Sequence, residues 1–255
     1  MPQFHLVANP RAWWRPIAEL FALALFFFVG FLALMLAIDS LAGEMSDEVG
    51  GTIAFLAFVP ALWVAVKGCG HRPFSQLISA EGRWSFAQHN IALPIVGGVS
   101  VASIVLGTAV LGPHWSVESL PFALFFLLMT PVMAFAEELL FRGWFPQFLG
   151  TWIRSGLVCF LLPVPLFAWI HQPSSALGWV GYLVSGTCYA LLAWRAQSLV
   201  ASSVLHAMSN VTLFILNALT GYQLQEAEPM LVAKTIVLAI TAALIYWRLS
   251  PRARR

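Results

Sequence analysis

The sequence predicts an all-α, polytopic membrane protein with about eight transmembrane helices in one bundle. Of its 255 residues, 60% are hydrophobic and only 9% are charged, whereas soluble domains carry roughly 25% charged residues. Apolar stretches near the 20 or so residues needed to cross a bilayer recur along the chain. Lys and Arg are confined almost entirely to alternate loops, as expected of a protein that crosses a membrane repeatedly.

Eight segments are predicted to span the membrane, in the order 16–38, 50–67, 91–112, 119–141, 155–171, 177–195, 198–218 and 230–248. The first apolar run is too long for a secretory signal and is predicted to be a retained anchor. The fifth and sixth spans are the weakest, because prolines crowd that region. The connector 68–90 is predicted to be an amphipathic segment on the inner face, with a solvated loop as the alternative.

The positions of the basic residues predict the orientation. Basic residues precede the first span, follow the last, and occupy alternate loops between them: Arg11, Arg15, Lys67, Arg72, Arg83, Arg154, Arg195, Arg248, Arg252, Arg254 and Arg255. The exception is Lys234, four residues into the last span. Positively charged loops stay in the cytoplasm. Both termini are therefore predicted to be cytoplasmic, and the number of spans to be even. The absence of organellar signals favours a bacterial inner membrane.

Composition and missing motifs exclude several classes of function. The net charge of +2 is too small to indicate a nucleic-acid partner, so membrane lipids are the expected surroundings. Cys69, Cys159 and Cys188 show neither metal-ligand spacing nor a disulfide framework. The chain contains no HExxH helix, no GxSxG elbow and no Walker A loop. The oligomeric state is not readable from the sequence.

Six polar side chains lie in the apolar interior, away from the predicted span ends: Glu137, Glu138, Arg142, His171, His206 and Asn210. Ionisable residues within spans usually face the bundle interior and mark a functional site. The alternative is a buried polar network that holds helices together. That alternative is reasonable for any one of these residues and much weaker for all six together.

The glutamate pair divides into two roles. Glu138 and Arg142 are four residues apart on one helix face and are predicted to form an ion pair, which a buried charge requires. Glu137 is rotated by about 100° from its neighbour and has no local partner. A carboxylate held alone in a dry site suits a general base.

The two histidine segments are less specific. His206 and Asn210 are four residues apart and offer two donors over one patch, which suits an oxyanion hole. Hydrogen bonds between helices are the alternative. His171 ends an apolar run, where a lone histidine is more often an interface residue.

Three segments resemble the motifs of a known family. EELLFR (137–142), FAWIH (167–171) and HAMSN (206–210) are similar to the EExxxR, FxxxH and HxxxN/D motifs of the CPBP family. This family contains the type II CAAX prenyl endopeptidases and the bacteriocin-processing or self-immunity (Abi) proteins. The motifs occur in the same order on successive late helices, and the resemblance covers roughly 121–221.

The resemblance implies an intramembrane glutamic endopeptidase that acts on a membrane-associated or lipidated, CAAX-like peptide without a metal or other cofactor. By motif position, Glu137 would be the base and His171 would help it to hold the attacking water. His206 and Asn210 would stabilise the oxyanion, and the predicted ion pair would brace the site.

The same resemblance suggests an organisation within one integrated domain. Residues 1–118 would hold three helices and the connector, 119–221 the catalytic core, and 222–255 the last helix and a basic tail. Two alternatives stay open. A zinc-dependent membrane protease would use the same glutamates and histidines as ligands, although Asn210 and the nearby arginine oppose this. A membrane immunity or scaffold protein would carry out no proteolysis.

Straight helices would not bring the predicted site together. At about 1.5 Å per residue, they place Glu137 near the inner face and His171 toward the outer face. The fifth span must therefore be kinked or displaced, and Pro163 and Pro165 offer a place for the kink. A cavity on the cytoplasmic side is expected.

Overall fold

A computed structural model of the chain describes residues 4–6, 13–42, 47–114, 120–221 and 228–249. Within these ranges the chain forms α-helices and no β-strand, so the predicted all-α class is confirmed. The helices are α1 (Arg15–Ala42), α2 (Asp47–Phe55), α3 (Phe58–Gly68), α4 (Phe86–Leu111), α5 (Leu120–Glu138), α6 (Phe145–Leu149), α7 (Gly156–Leu161), α8 (Val164–Ile170), α9 (Ala176–Ala196), α10 (Val200–Thr220) and α11 (Glu228–Arg248). A π-helical segment, Leu139–Trp144, joins α5 to α6.

Seven helical stretches in the described part of the chain are long and apolar enough to cross a membrane: Arg15–Ser40, Val49–Gly68, Phe86–Leu111, Ala123–Leu149, Ala176–Ala196, Val200–Thr220 and Pro229–Arg248. Large apolar side chains cover their outer surfaces, as shown by Phe28 and Val110, which are 69% and 78% exposed. Soluble proteins rarely expose apolar patches of this extent to water, so this surface is expected to face lipid. The chain is a multi-pass membrane protein.

The fifth predicted span, 155–171, is wrong as one full-length helix. It consists of α7 and α8, because Pro163 caps the start of α8 and Pro165 occupies its first turn. Even a straight helix over Gly156–Ile170 would rise only about 22 Å, less than the roughly 30 Å of hydrocarbon.

The fourth predicted span, 119–141, ends too early. The helical stretch Ala123–Leu149 continues through the π-helical segment into α6. Arg142 does not end the helix because it is buried and paired with Glu138. Glu137 therefore lies in the middle of its span and not near the inner face.

Contacts at one end of the bundle agree with an even number of crossings. The ring of His5 hydrogen-bonds the carbonyl of Arg154 at 3.0 Å. The guanidinium of Arg195 lies 4.6 Å from the ring of Tyr246, near the C-terminal end of α11. Both described ends of the chain thus lie beside Arg154 and Arg195, and we call this the basic end. Arg11 and the predicted basic tail beyond 249 lie outside the described residues.

The connector between α3 and α4 also lies at the basic end. It contains a 3-10 turn, Phe74–Leu77, and Leu77 and Ser79 are buried. Ser79 forms an isolated antiparallel bridge with Ser198, in the turn between α9 and α10. Deeper in the bundle, α10 packs against α4, α5 and α9, and α11 packs against α9. These helices surround the polar residues.

Candidate active site

A buried ion-pair network lies where α5 passes into the π-helical segment. Arg142 Nη1 donates to Glu138 Oε1 at 2.9 Å, as the spacing predicts. Arg142 Nη2 donates to the carbonyl of Gly186 at 3.1 Å, and the guanidinium lies 4.4 Å from the ring centroid of Phe167. The same Glu138 Oε1 is 3.0 Å from Nδ1 of His206. Glu138 therefore anchors the histidine as well as the arginine.

Glu137 faces a different set of atoms. Its Oε2 lies 3.7 Å from Nε2 of His171 and 3.8 Å from Nε2 of His206. These distances exceed a direct hydrogen bond of about 3.2 Å or less. The oxygen is buried and has no hydrogen-bond partner among the described residues. Three polar atoms from three segments thus converge without touching.

Hydrogen-bond partners fix which nitrogen of each imidazole carries a hydrogen. Nδ1 of His171 is 2.7 Å from the carbonyl oxygen of Phe167, which only accepts. Nδ1 of His206 faces the carboxylate of Glu138, which when ionised also only accepts. Both Nδ1 atoms are therefore donors. The Nε2 atom of each ring faces Glu137, with a lone pair when the ring is neutral and an N–H when it is protonated.

The break between α7 and α8 brings His171 to this position. His171 follows the last residue of α8, and Gln172 then adopts a left-handed backbone with φ of 44°. The chain therefore turns at His171 instead of continuing as a helix to the far side. The ring of His171 stacks on Tyr182 with a centroid separation of 4.3 Å. The different depths expected from straight helices do not occur.

Two tyrosines that were not predicted as site residues stack on the two imidazole rings. Tyr189 stacks on His206 at 4.5 Å, as Tyr182 does on His171. Seven residues are about two helical turns, so both rings lie on one face of α9. The hydroxyl of Tyr189 is 3.2 Å from Ser209 Oγ. Their spacing, within a span that precedes the HAMSN segment, is the signal that could have found them.

A cavity of about 420 Å³ borders the histidines. Asn210, one turn beyond His206 on α10, also lines it, but within the described part of the chain no hydrogen bond or ion pair joins Asn210 to the other five predicted residues. The structure thus brings five of the six together and leaves Asn210 on the cavity wall. Among the described residues, no group of three or more His, Cys, Asp or Glu meets the geometry of a metal site.

The position of the cavity differs from the sequence expectation. Its walls come from loop residues 172–175, the first half of α9, the first turns of α11 and the middle of α10. These parts lie away from the basic end, because α9 and α11 run in the same sense and both end there, where Arg195 contacts Tyr246. If the basic end is cytoplasmic, the cavity is in the outer half. In that orientation the cavity does not lie on the cytoplasmic side, because the helix of Glu137 runs on to Leu149.

A family model described as type II CAAX prenyl endopeptidase Rce1-like matches residues 119–212. This stretch contains all six polar residues singled out above. The resemblance to the CPBP family is confirmed. The matched family model describes endopeptidases, which supports a hydrolase at the level of the family.

One curated relative was also found. The uncharacterized protein YyaK of Bacillus subtilis (strain 168) is 23% identical over 173 residues, which are 63% of this chain and 58% of that protein. The similarity therefore covers less than two thirds of the relative. No solved structure matches the chain.

Proposed function

We propose that this protein is an intramembrane endopeptidase that hydrolyses a peptide bond of a membrane-embedded or lipidated, CAAX-like peptide. The observation that carries the proposal is Glu137 Oε2, which is buried, has no hydrogen-bond partner among the described residues, and lies between two imidazole nitrogens. A gap of 3.7 to 3.8 Å on two sides suits a bridging water better than a direct contact. Glu137 is then positioned as the general base.

The number of buried charges suggests which side chains are protonated before the reaction begins. Glu137 and Glu138 against Arg142 leave a net charge of −1 when both imidazoles are neutral. One protonated imidazole makes the cluster neutral, which lowers the cost of burying it. We assign that proton to His206, because its Nδ1 is bonded to a carboxylate, whereas the Nδ1 of His171 is bonded to a neutral carbonyl.

Hydrolysis then begins with attack by water. The water gives one proton to Glu137 Oε2, and its second hydrogen is held by Nε2 of His171. Its oxygen bonds to the peptide carbonyl carbon as the carbonyl π electrons move to oxygen. The Nε2–H of His206 and the side-chain amide of Asn210 donate to the resulting oxyanion.

The tetrahedral intermediate then breaks down. The oxyanion re-forms the carbonyl, the carbon–nitrogen bond breaks, and Glu137 returns its proton to the leaving nitrogen. The products are a carboxylic acid and an amine. General-base catalysis of this kind contributes about 10²- to 10⁴-fold, and an oxyanion donor about 10²- to 10³-fold. Glu138 and Arg142 act as positioning residues.

The test compares membrane peptides in cells that carry the native protein, Glu137→Gln, or the control Glu81→Gln. Glu81 pairs with Arg83 in the connector, at 2.8 Å. Fragments present with the native protein and the control should vanish with Glu137→Gln, while all three proteins insert equally. If the fragment sets are identical, the protein is not a protease that uses Glu137, and a scaffold or immunity role takes its place.

A zinc-dependent hydrolase is the second candidate. Two imidazoles and one carboxylate form a ligand set that zinc hydrolases use, and zinc there would supply a Lewis acid. Ligand atoms around tetrahedral zinc lie about 3.4 Å apart for bonds of 2.0–2.1 Å, so 3.7 and 3.8 Å are somewhat wide. The nearby Arg142 guanidinium also opposes a cation. Activity that survives a strong chelator supports the metal-free mechanism, whereas loss restored by zinc assigns the metal.

The proposed surroundings follow from charge and hydropathy. We propose an inner (plasma) membrane location in a bacterium, with the basic end and both termini in the cytoplasm. Lipids and one peptide substrate are the proposed partners, and no nucleic acid is expected. Cysteine accessibility at introduced sites on the two ends of the bundle tests the orientation. Labelling of the basic end from outside intact cells would reverse it.

A further inference from the structure

Lys234 is a charged side chain in the apolar part of α11 that the proposed reaction does not use. It is one of two lysines in the chain. It lines the cavity beside the histidines and also a second cavity of about 300 Å³ between α4, α10 and α11. Among the described residues lining either cavity, Lys234 is the one charged side chain apart from histidine.

No described residue forms a hydrogen bond or an ion pair with Lys234. Arg142 and His206 both donate to Oε1 of Glu138, and Lys234 forms no ion pair with that carboxylate. Ionisable residues inside a membrane are expensive and normally pair with an opposite charge. An unpaired ammonium group on a cavity wall therefore indicates an anionic partner that enters the cavity.

Packing between α9 and α11 places Lys234 at the level of the candidate active site. A Cβ built on Gly181 would lie 3.2 Å from Thr235 Oγ1, so the two helices touch there. Tyr182, the next residue of α9, is the ring that stacks on His171 at 4.3 Å. Lys234 precedes Thr235 and lines the same cavity as both histidines.

We propose that Lys234 binds a carboxylate of the substrate peptide and so determines which peptides are cut. This inference rests on the proposed function, because it assigns the substrate chemistry of that site. An ammonium group attracts a carboxylate as a compact point charge with three donors. The carboxylate belongs either to the C-terminus of the peptide or to an acidic side chain, and the experiment separates the two sources.

The second cavity adds a preference for what stands beside that carboxylate. It adjoins Lys234 and is lined largely by aliphatic side chains, among them Val96, Leu106, Leu216 and Val237. Burying apolar surface there is favourable, at about 25 cal/mol per Å². The residue that carries or neighbours the carboxylate is therefore expected to be apolar.

A structural role would leave Lys234 without substrate. A lysine near the start of a span often extends its side chain to the membrane surface, where its ammonium group would bind no peptide. The two roles differ in whether substrate binding changes the reactivity of Lys234. Lys67, which is exposed near the end of α3, is an internal reference.

The first experiment measures binding without catalysis. Full-length Glu137→Gln protein in nanodiscs is treated with a small amine-reactive reagent in the presence of the S-farnesylated tetrapeptide Cys-Val-Val-Leu. The peptide is supplied as the free acid, as the C-terminal amide, and as the amide with Glu in the third position. Mass spectrometry then compares labelling of Lys234 with labelling of Lys67. The free acid should protect Lys234 and leave Lys67 unchanged, and the plain amide should protect neither.

The second experiment measures turnover of the same peptides. Lys234→Met should raise KM for the free acid by about 10- to 100-fold, the range of a charged hydrogen bond, with a smaller change in kcat. Lys234→Arg should recover most of that loss. Lys67→Met is the matched control and should behave like the native protein.

Each outcome separates the inference from the proposed function. Protection of Lys234 by the free acid, without turnover by the native protein, supports the inference and overturns the proteolytic function. Protection by the Glu-containing amide assigns the carboxylate to a side chain. Equal protection by the free acid and the plain amide overturns the inference even if cleavage occurs. The labelling arm does not depend on whether Lys234→Met folds.

Discussion

Two clusters of buried charge occupy the same bundle and differ in how fully they are paired. The Glu137 cluster comprises Glu137, Glu138, Arg142, His171 and His206. The Glu19 cluster comprises Glu19, Arg72, Trp144 and Gln147, and it joins α1, the connector and the π-helical segment to α6. In the Glu19 cluster each carboxylate oxygen has a donor: Arg72 Nη1 on one side and Trp144 Nε1 at 2.9 Å on the other.

The remaining polar groups of the Glu19 cluster are also used. Arg72 Nε donates to Gln147 Oε1 at 3.2 Å, and Gln147 Nε2 donates to the carbonyl of Gln76 at 2.7 Å. None of its members lines either cavity. Burial of charge is therefore not what distinguishes a reactive site in this protein. The Glu137 cluster differs in having an unpartnered Glu137 oxygen held between two histidines that line a cavity.

The largest expected effect is a contrast between two matched substitutions, one of which should lower activity and the other stability. Glu137→Gln should reduce cleavage by at least about 10²-fold with no loss of stability, because that oxygen has no partner to lose. Glu19→Gln should leave Arg72 buried without a counter-charge and destabilise the fold by about 3–5 kcal/mol. Turnover per folded molecule and thermal unfolding in detergent measure the two effects. A stability loss in Glu137→Gln would make both clusters structural.

The second prediction concerns the buried ion pair between Arg142 and Glu138. Arg142→Met should destabilise the fold by about 3–5 kcal/mol, because Glu138 would remain buried and charged. Adding Glu138→Gln to it should restore part of the stability, since no uncompensated charge remains. Activity should stay low in both, because His206 loses the carboxylate that orients it. Thermal unfolding of the four proteins of this cycle gives the coupling energy. A double variant no more stable than Arg142→Met would contradict this reading.

Close backbone packing gives a third, smaller contrast. A Cβ on Gly70 would lie 2.7 Å from the carbonyl oxygen of Val66 and closer still to Glu19 Oε1, so Gly70→Ala should cost about 1–3 kcal/mol. A Cβ on Gly186, whose carbonyl accepts from Arg142 of the Glu137 cluster, would meet its nearest side-chain atoms at 3.1 Å. The roughly 0.5–1 kcal/mol gained from Ala in a helix offsets that contact. Thermal unfolding of both variants should rank Gly70→Ala below Gly186→Ala, and the reverse order would be inconsistent with this packing.

The smallest expected effect concerns a hydroxyl. Tyr189→Phe removes the 3.2 Å contact with Ser209 but keeps the ring that stacks on His206. Ser209 Oγ still donates to the carbonyl of His206 at 2.9 Å. The loss should be at most about 0.5–1.5 kcal/mol, with most activity retained. Tyr189→Leu removes the ring and should lower kcat in the same assay. Equal kcat in the two variants would argue that stacking does not orient the imidazole.

The sequence predicted what depends on local spacing. The Glu138–Arg142 pair follows from a separation of four residues, and the isolation of Glu137 follows from its rotation on the same helix. Hydropathy predicted the long spans for a similar reason, because each must be apolar along its own length. The order of the three motifs predicted His171 as a site residue, although its position alone indicated an interface residue.

What the sequence did not reveal depends on contacts between distant segments. Glu19 stands near the start of its span and reads as an interface residue, yet its partners are 53 and 125 residues away in the chain. The prolines near residue 163 indicated a kink but not that α7 and α8 together fall short of the bilayer. The position of the cavity depends on that shortfall and on where the helix of Glu137 ends. Neither can be read from periodicity.

The π-helical segment Leu139–Trp144 links the two clusters along one continuous helix, and it contains Arg142 of one and Trp144 of the other. A π turn holds roughly one residue more than an α turn, so this segment acts as an insertion that sets the phase between Glu138 on one side and Trp144 on the other. Deleting a single residue there would return the turn to ordinary α geometry and rotate one cluster against the other by about 100°. The orientation of the Glu137 cluster relative to the Glu19 cluster thus depends on the number of residues in this segment as much as on their identity.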